Sequence, residues 1–312
     1  MNKESKFVSA VIYFHNEYTY LDSYIKIVHK FLREHFLKYE IICVDDASTD
    51  NSVEKITKLV QQDGLENITL VSMNVYQGRE RGMEAGVDLS IGDYVFELEW
   101  VDLTNKDTYE NMLWEAYTKA VQGYDIVTYA SEEHKSLGSA IFYDLYNKSN
   151  LNLVGLTPER FRVVTRRAIN RVSRMNKTIV YRKALYANSG LRSFVIGTNK
   201  HEVGKNIKKE IKNKRKTGFN VFLAYTGLVP KIAMILEFIL IFLCIAAVGY
   251  IVISKNTTIG ICVLIMLLVG ALLGLMIVFV IKYVELLLEL VLKKERYIVS
   301  SVEKLSNSER KE

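Results

Sequence analysis

The chain has 312 residues, of which 49% are apolar and 24% are charged, and its formal net charge is +6. This length suffices for one large domain or two modest ones. The composition excludes a disordered chain and a collagen-like repeat, and three cysteines are too few for a disulfide framework. We expect Cys43, Cys244 and Cys262, which lie in apolar runs, to be buried reduced thiols.

Short apolar runs alternate with segments of helical spacing over the first 130 residues. The pattern predicts strands at 7–14, 40–44, 67–73, 93–98 and 125–130. It predicts helices at 21–36, 53–60, 78–90 and 109–121. Alternating strands and helices indicate an α/β fold with a mostly parallel sheet that is covered on both faces. Ligands of such sheets bind beyond the carboxyl ends of the strands.

Polar residues follow each of the first four predicted strands. These residues are His15, Asn16 and Glu17, then Asp45, Asp46 and Asp50, then Gly78 and Arg79, and last Glu97, Glu99 and Asp102. Carboxylates at that edge suit the donors of a base and ribose, or a hard cation, and Arg79 suits a diphosphate. Helix capping explains one or two of the acidic residues but not the pair at 45–46. The sequence has neither a P-loop nor a dinucleotide fingerprint.

Two long apolar runs occupy the C-terminal third of the chain. Residues 232–253 contain one charge, Glu237, and residues 259–281 contain none. Each run exceeds the roughly 20 residues that cross a bilayer, and the polar residues 255–258 can form the turn between them. We therefore predict a transmembrane helical hairpin. The alternative is a pair of buried helices in a soluble protein.

The charge is concentrated directly before the first apolar run. Residues 157–218 contain 18 Lys and Arg against 3 Asp and Glu, a net charge of +15. The positive-inside rule then predicts a multi-pass protein of the cell membrane with both the N-terminal domain and the C-terminus in the cytoplasm. Such a segment is attracted to anionic lipid headgroups. Because the basic segment leads into a membrane span, we expect membrane lipid rather than nucleic acid as its partner.

Several segments together resemble family 2 glycosyltransferases of the GT-A fold. The segments 8–17 and 40–52 carry the resemblance, the latter through the run Val-Asp-Asp-Ala-Ser-Thr-Asp, and 92–95 is similar to the stretch that leads into the DxD strand of that family. Residues 161–167 are similar to the FRLL-x-R segment of the polyprenyl-phosphate glycosyltransferases. That membrane-anchored branch includes bactoprenol glucosyltransferases and dolichol-phosphate mannose synthase, and residues 283–299 resemble its tail.

The resemblance implies an activity as well as a fold. It implies a GT-A, Rossmann-like cytoplasmic domain with a C-terminal two-helix transmembrane hairpin. The activity would be transfer of a sugar from a nucleotide sugar, with a UDP-sugar favoured, to an undecaprenyl-type phosphate during synthesis of cell-envelope glycans. The predicted domains are a nucleotide-sugar-binding domain at 1–156, a basic acceptor-side segment at 157–228, the two spans at 229–283 and a cytoplasmic tail at 284–312. Members of this branch can assemble through their membrane helices, so the resemblance also allows a homo-oligomer.

The resemblance further assigns roles to individual residues. The donor-binding positions are Asn16, Glu17, Asp45, Asp46, Gly78 and Arg79, and the catalytic positions are Glu159, Arg162 and Arg166. Arg162 and Arg166 would serve the diphosphate or the acceptor phosphate, and because they are four residues apart they share one face if this stretch is helical. Glu99 and Asp102 would hold Mg²⁺ or Mn²⁺.

The chain departs from the family pattern at two of these sites. The DxD motif reads Glu99-Trp100-Val101, so its second carboxylate is missing, and Arg160 stands where the family often has Asp. Glu159 is the expected substitute. The alternative function is therefore a catalytically degenerate relative that binds nucleotide or lipid and acts as a scaffold in an envelope-polysaccharide complex.

Overall fold

The structure, a computed structural model, describes two compact units of the chain. It describes residues 3–99, 106–130, 156, 158–175, 181–197, 235, 238–239, 242, 259–292 and 297–306. The first unit comprises Met1–Tyr143, Asn152–Ile207 and Glu295–Glu312, and the second comprises Asp144–Leu151 and Lys208–Lys294.

Strands and helices alternate through the described part of the first unit. The strands are β1 (Glu4–Phe14), β2 (Phe36–Asp45), β3 (Ile68–Met73), β4 (Tyr94–Glu99), β5 (Ile126–Ala130), β6 (Glu159–Thr165), β7 (Ser193–Ile196) and β8 (Val299–Leu305). The helices are α1 (Leu21–His35), α2 (Ser52–Asp63), α3 (Arg79–Leu89), α4 (Lys106–Val121), α5 (Arg166–Ser173) and α6 (Arg182–Ala187). The five predicted strands and four predicted helices are confirmed within a few residues.

All eight strands belong to one mixed sheet, in the order β7-β5-β6-β4-β1-β2-β3-β8. The four central strands β3, β2, β1 and β4 run parallel. Strand β6 is antiparallel to both β4 and β5, and β8 is antiparallel to β3. The sheet is therefore mostly parallel at its centre, as predicted, with antiparallel strands on both sides.

The sheet is covered on both faces because its central strands are apolar on both. Within β1, Val8, Ala10 and Ile12 contribute to one hydrophobic cluster and Val11 to the other, as the alternation of side chains along a strand requires. The first cluster contains buried residues of α1, α2 and α4. The second contains residues of α3, α5 and α6. Cys43 is buried in the first cluster as a free thiol, and burial raises its pKa to about 12.

Two predicted domain boundaries do not agree with this sheet. Residues 159–165 form strand β6 between β4 and β5, so the core does not end at 156. The tail predicted at 284–312 supplies strand β8, which pairs with β3 at the edge of the sheet. The stretch with Arg162 and Arg166 is not one helix, so the two residues do not share a helical face: Arg162 lies within β6 and Arg166 is the first residue of α5.

The second unit contains α7 (Ile259–Leu292), a helix of 34 residues. Several of its described apolar side chains are exposed, among them Met266, Leu275 and Ile277. Where the structure describes side chains, no helix is both long enough and apolar enough to cross a membrane. The first predicted span lies almost wholly outside the described residues, as does the Lys-rich stretch between Lys205 and Lys216. The transmembrane hairpin stays a prediction.

Gly92 lies against β1 at a point where no side chain fits. A Cβ atom at this position would lie 2.6 Å from the backbone nitrogen of Ser9 and 2.8 Å from the carbonyl carbon of Val8. We expect Gly92→Ala to lower the free energy of unfolding by about 1–3 kcal/mol, because backbone must move to admit the methyl group. Thermal unfolding measures the loss. Gly197→Ala is the matched control, since no atom lies within 4 Å of its added Cβ, and equal melting of the two variants would contradict the prediction.

Candidate active site

The carboxyl ends of the four parallel strands meet at one edge of the sheet. In the register of the sheet, Phe14 lies opposite Asp45, Asp45 lies opposite Ser72, and Tyr13 lies opposite Glu99. The loops that follow these strands therefore converge, as the sequence predicts. All the predicted donor-binding residues lie in these loops or at their ends, since Asp45 is the last residue of β2 and Arg79 is the first residue of α3.

Asp46 is fully buried at this edge, where its carboxylate accepts three hydrogen bonds. Its Oδ1 accepts a hydrogen bond from the backbone N–H of Gln77 (2.8 Å), and its Oδ2 accepts from the backbone N–H of Gly78 (2.7 Å) and the hydroxyl of Tyr13 (2.9 Å). Gly78 has a φ of +89°, a conformation that favours glycine. Asp46 thus holds the loop before α3 in place, which makes it a positioning residue.

Asn16 joins the loop after β1 to the loop after β2. Its Oδ1 accepts hydrogen bonds from the backbone N–H groups of Thr49 (2.8 Å) and Asp50 (3.2 Å), and its own N–H donates to Ser48 Oγ (3.0 Å). The Asn16 side chain therefore holds the loop after β1 against the loop after β2. Glu17 is half-buried in the same loop, where its carbonyl accepts from the N–H of Tyr20.

Asp45 is the member of the acidic pair that is placed for a ligand. Its Oδ1 accepts from the backbone N–H of Ser48 (3.0 Å), and among the described residues no hydrogen bond to its Oδ2 is found. Burial raises the pKa of the Asp45 carboxyl, while the hydrogen bonds from Ser48 oppose the shift. A donor from a ligand would stabilise the ionised carboxylate in the same way as Ser48 does.

Arg79 and Glu99 form an ion pair at the same edge. Arg79 Nη1 donates to Glu99 Oε2 at 2.6 Å, and both side chains keep about a quarter of their surface exposed, 27% and 29%. Burial raises the pKa of Glu99, and the charges of Arg79 and Lys183 partly offset this. Lys183, on α6, is 9% exposed. Arg79 and Lys183 are thus two cations close to the strand ends, and this arrangement suits an anionic ligand.

A buried cluster of charged side chains is centred on Glu97 of β4, two residues before Glu99. Glu97 Oε2 accepts from Arg182 Nε (3.1 Å), its Oε1 accepts from Arg182 Nη2 and from the Tyr186 hydroxyl (2.6 Å), and Arg162 Nη1 lies 3.5 Å from Oε2. Burial acts to raise the pKa of Glu97, but the charges of Arg182 and Arg162 outweigh it, and the pKa is lowered. Sequence reasoning missed Arg182 and Tyr186, although their spacing of four residues places them on one helical face.

Glu159 and Arg162 bind each other at the edge of this cluster. Glu159 Oε2 accepts from Arg162 Nε (3.0 Å) and Nη2 (2.6 Å). The third guanidinium nitrogen, Nη1, is buried and makes no hydrogen bond with any described residue. The two residues line a cavity of about 30 Å³ with Thr128, Lys183 and Tyr186. This volume admits a water molecule but not a sugar.

Arg166 lies at the opposite end of β4. Its Nη2 donates to the carbonyl of Gly92 (2.8 Å) and to Ser90 Oγ (3.1 Å), and its Nε donates to the Gly92 carbonyl (3.1 Å). Gly92 precedes β4, whereas the candidate site lies beyond the end of that strand. The position of Arg166 therefore indicates a role in fixing the Ser90–Gly92 turn rather than in binding phosphate.

The predicted metal site is described only in part. Glu99 is described, whereas Asp102 lies outside the described residues. Among the described residues no group of three His, Cys, Asp or Glu side chains could hold a metal ion. The ion pair with Arg79 uses Oε2 of Glu99. The remaining oxygen fits a cation that takes most of its ligands from water and substrate phosphates, as Mg²⁺ commonly does.

Comparisons with known proteins identify relatives of part of the chain. The family model described as glycosyl transferase family 2 matches residues 9–173, more than half of the chain. An uncharacterized glycosyltransferase of Synechocystis is 26% identical over 197 residues, which cover 61% of this chain and 60% of that protein. The undecaprenyl-phosphate 4-deoxy-4-formamido-L-arabinose transferase of Edwardsiella ictaluri is 34% identical over 125 residues, with coverage of 40% and 37%. The chain thus spans less than two thirds of these relatives.

Solved structures share the fold of a large part of this chain. Glucosyl-3-phosphoglycerate synthase from Mycobacterium tuberculosis in complex with UDP matches with a TM-score of 0.50 and 14% identity, over 71% of this chain and 80% of that chain. The same enzyme with Mn²⁺, UDP-glucose and glycerol 3-phosphate gives the same values. At this identity the likeness shows the fold alone, an α/β GT-A architecture.

The buried cluster predicts an acid-sensitive fold. Because the pKa of Glu97 is lowered in the folded protein, its contribution to stability is present above its ordinary pKa of 4.5 and is lost as the pH falls through the folded value. We expect Glu97→Gln to lower the free energy of unfolding at pH 7 by about 3–5 kcal/mol, because buried Arg182 loses its counter-charge and Arg162 keeps only Glu159. The remaining acid dependence should then be shallower than that of the wild type.

Thermal unfolding at pH 7 and at several values below pH 5 measures both effects. The matched control is Glu54→Gln, which removes an exposed pair with Lys58 and should change stability by less than about 1 kcal/mol. A Glu97→Gln protein as stable as the control at pH 7 would show that the cluster does not hold the fold together.

Proposed function

The chain belongs to glycosyl transferase family 2, and on that premise we propose that it transfers a sugar from a nucleotide-sugar donor to the phosphate of an undecaprenyl-type polyprenyl phosphate. The observation that carries the proposal is the arrangement at the strand ends. Asp45 lies at the same edge as the Arg79–Glu99 pair, with Lys183 close to Glu99, so one acceptor for a nucleoside and two cations for a diphosphate come together.

The donor would bind across this edge. Asp45 Oδ2 accepts from the N–H of a base or from a ribose hydroxyl, while Arg79 and Lys183 neutralise the diphosphate. A UDP-sugar is the first donor to test, since one structure of similar fold contains UDP. Because Asp46 fixes the backbone of residues 77–78 before the donor arrives, less entropy is lost on binding.

The acceptor would be an anionic lipid phosphate. A curated relative is named an undecaprenyl-phosphate transferase, and the net charge of +15 over residues 157–218 suits an anionic headgroup. An oxygen of the acceptor phosphate forms the new bond to the anomeric carbon as the bond from that carbon to the donor diphosphate breaks. The attacking oxygen is already ionised near neutral pH, so the protein mainly positions the reactants and stabilises the leaving diphosphate.

We further propose a location in the cell membrane, with the N-terminal domain and the C-terminus on the cytoplasmic side, and a role in cell-envelope glycan synthesis. The sequence supports it: the runs 232–253 and 259–281 are each long enough to cross a bilayer. The exposed apolar side chains of α7 also need a non-aqueous surrounding. Whether copies of the chain associate in the membrane stays a prediction.

The second candidate function is a nucleotide- or lipid-binding scaffold without transfer activity. The observation in its favour is that Glu99, the remaining carboxylate of the DxD position, is paired with Arg79. Transfer of radiolabelled sugar from a panel of UDP- and GDP-sugars into a chloroform-soluble lipid separates the two functions. Label in the lipid fraction supports the transferase. Nucleotide binding with no labelled lipid from any donor supports the scaffold.

Replacing Asp45 tests the donor site. We expect Asp45→Ala to weaken UDP binding at least several-fold, because loss of a buried hydrogen-bonding contact costs roughly 1–3 kcal/mol. Isothermal titration calorimetry measures the affinity, and thermal unfolding verifies that the variant is folded. Asp63→Ala is the control, since its carboxylate pairs only with Lys26 at the surface among described residues. Unchanged affinity in folded Asp45→Ala would exclude Asp45 from the nucleotide site.

Metal removal tests the predicted role of Glu99. When bound, a divalent cation would neutralise charge on the leaving diphosphate. We expect excess EDTA to abolish transfer and added Mn²⁺ or Mg²⁺ to restore it, and Glu99→Gln to need a higher metal concentration for half-maximal activity. Glu54→Gln, which alters an exposed carboxylate, should follow the wild-type curve. Full transfer in excess EDTA would mean that basic side chains replace the metal.

A further inference from the structure

The segment directly before the C-terminal strand β8 contacts the loop that precedes α3. Gln77 contacts the backbone of Ile298 in both directions: Nε2 donates to the Ile298 carbonyl at 2.6 Å, and Oε1 accepts from the Ile298 N–H at 2.9 Å. The N–H of Asn74 donates to the same carbonyl at 3.2 Å. The next residue back, Tyr297, donates its hydroxyl to Asp88 Oδ2 on α3 at 3.1 Å. The segment before β8 therefore binds both the loop and the helix.

The same loop is also held by hydrogen bonds to Asp46. The backbone N–H groups of Gln77 and Gly78 donate to the two carboxylate oxygens of Asp46. Gln77 is thus fixed twice, through its backbone by the end of β2 and through its side chain by the segment before β8. Arg79, which follows directly, pairs with Glu99 at the candidate site.

We propose that Gln77 is a positioning residue through which the C-terminal tail keeps the loop 74–78, here called the donor loop, in its nucleotide-binding conformation. The inference rests on the proposed function and adds a dependence of donor affinity on the tail. Nucleotide affinity then depends on a segment 221 residues away in sequence.

The chemistry of the contact explains why a glutamine is suited to it. A primary amide offers one donor and one acceptor in a plane and so matches the N–H and carbonyl of a single backbone residue. A carboxylate at position 77 would face the Ile298 carbonyl oxygen without a donor, and alanine would leave both backbone groups of Ile298 without this partner. Loss of the clamp would return conformational freedom to the donor loop, which must then be ordered at each binding event.

A double-mutant cycle on the full-length protein tests the clamp. Gln77→Ala removes the amide, and Ile298→Pro removes the N–H that donates to Oε1. Each variant should weaken binding of UDP or GDP, whichever the wild type binds, by about 3- to 20-fold. The double variant should bind as weakly as Gln77→Ala alone, because Ile298→Pro breaks one of the two hydrogen bonds that Gln77→Ala removes. In transfer assays KM for the donor should rise while kcat stays within about twofold.

Two controls separate positioning from general stability. Ser300→Ala removes the hydrogen bond from Ser300 Oγ to the Ser72 carbonyl, which joins β8 to β3 without touching the donor loop, and it should leave nucleotide affinity unchanged. Hydrogen exchange without nucleotide provides the second measurement. The amides of residues 77–79 should exchange faster in Gln77→Ala than in Ser300→Ala, while amides of β1 and β2 stay protected.

The possible results distinguish failure of the clamp from failure of the proposed function. A wild type that binds neither UDP nor GDP would overturn the proposed function and, with it, this inference. A wild type that binds nucleotide while Gln77→Ala binds equally well would overturn the clamp alone. Additive losses in the double variant, or unchanged exchange of the donor-loop amides, would likewise show that the tail does not position the loop.

Discussion

A single buried carboxylate, that of Asp46, determines the form of the candidate site. Burial of an ionised group without a cation is costly unless hydrogen bonds compensate for the lost water. Two backbone N–H groups and the Tyr13 hydroxyl supply that compensation. Burial and the adjacent Asp46 charge raise the pKa of Tyr13, so its hydroxyl remains a donor at physiological pH. Because these donors come from β1 and from the loop before α3, satisfying one side chain brings the separate strand ends together.

The Glu97 cluster stabilises the elements that lie next to the same edge of the sheet. Two carboxylates, Glu97 and Glu159, are matched by two guanidinium groups, Arg162 and Arg182, and the ring of Tyr186 lies 4.9 Å from the first guanidinium and 5.2 Å from the second. Such a cluster joins β4, β6 and α6, and these elements also carry Glu99 and Lys183 towards the site. The charges of the cluster balance one another, whereas Arg79 and Lys183 lie outside it and close to the strand ends.

The sequence predicted the centre of the fold because its signals there are local. The apolar spacing of Leu21, Tyr24, Ile25 and Val28 places one face of α1 in the core, and all four are buried. Asp45 and Asp46 could be assigned to the ligand-binding edge because they follow an apolar run. The different functions of the two residues could not be predicted, since they depend on which of them faces the N–H groups of a loop that lies 31 residues further along the chain.

The elements that were missed form through distant pairing. In β6, buried Phe161 and Val163 alternate with Arg162, a strand pattern that the surrounding arginines obscured. Strand β8 has the sequence VSSVEKL, with few apolar residues, and its place is determined by its antiparallel register with β3. Neither its partner nor its effect on Gln77 can be read from spacing, because the contact requires both segments to be folded. The structure therefore adds most for strands such as β6 and β8, whose places depend on antiparallel pairing with strands that are distant in the chain.

The two additions to the parallel core come from either side of the long C-terminal apolar region. Strands β5, β6 and β7 precede it in the chain and extend the sheet beyond β4, while β8 follows it and extends the sheet beyond β3. Only residues 293–296 separate the end of α7 from Tyr297. The segment that contacts Gln77 therefore follows the C-terminal apolar region closely in the chain, and it leads into the strand that pairs with β3 at the edge of the sheet.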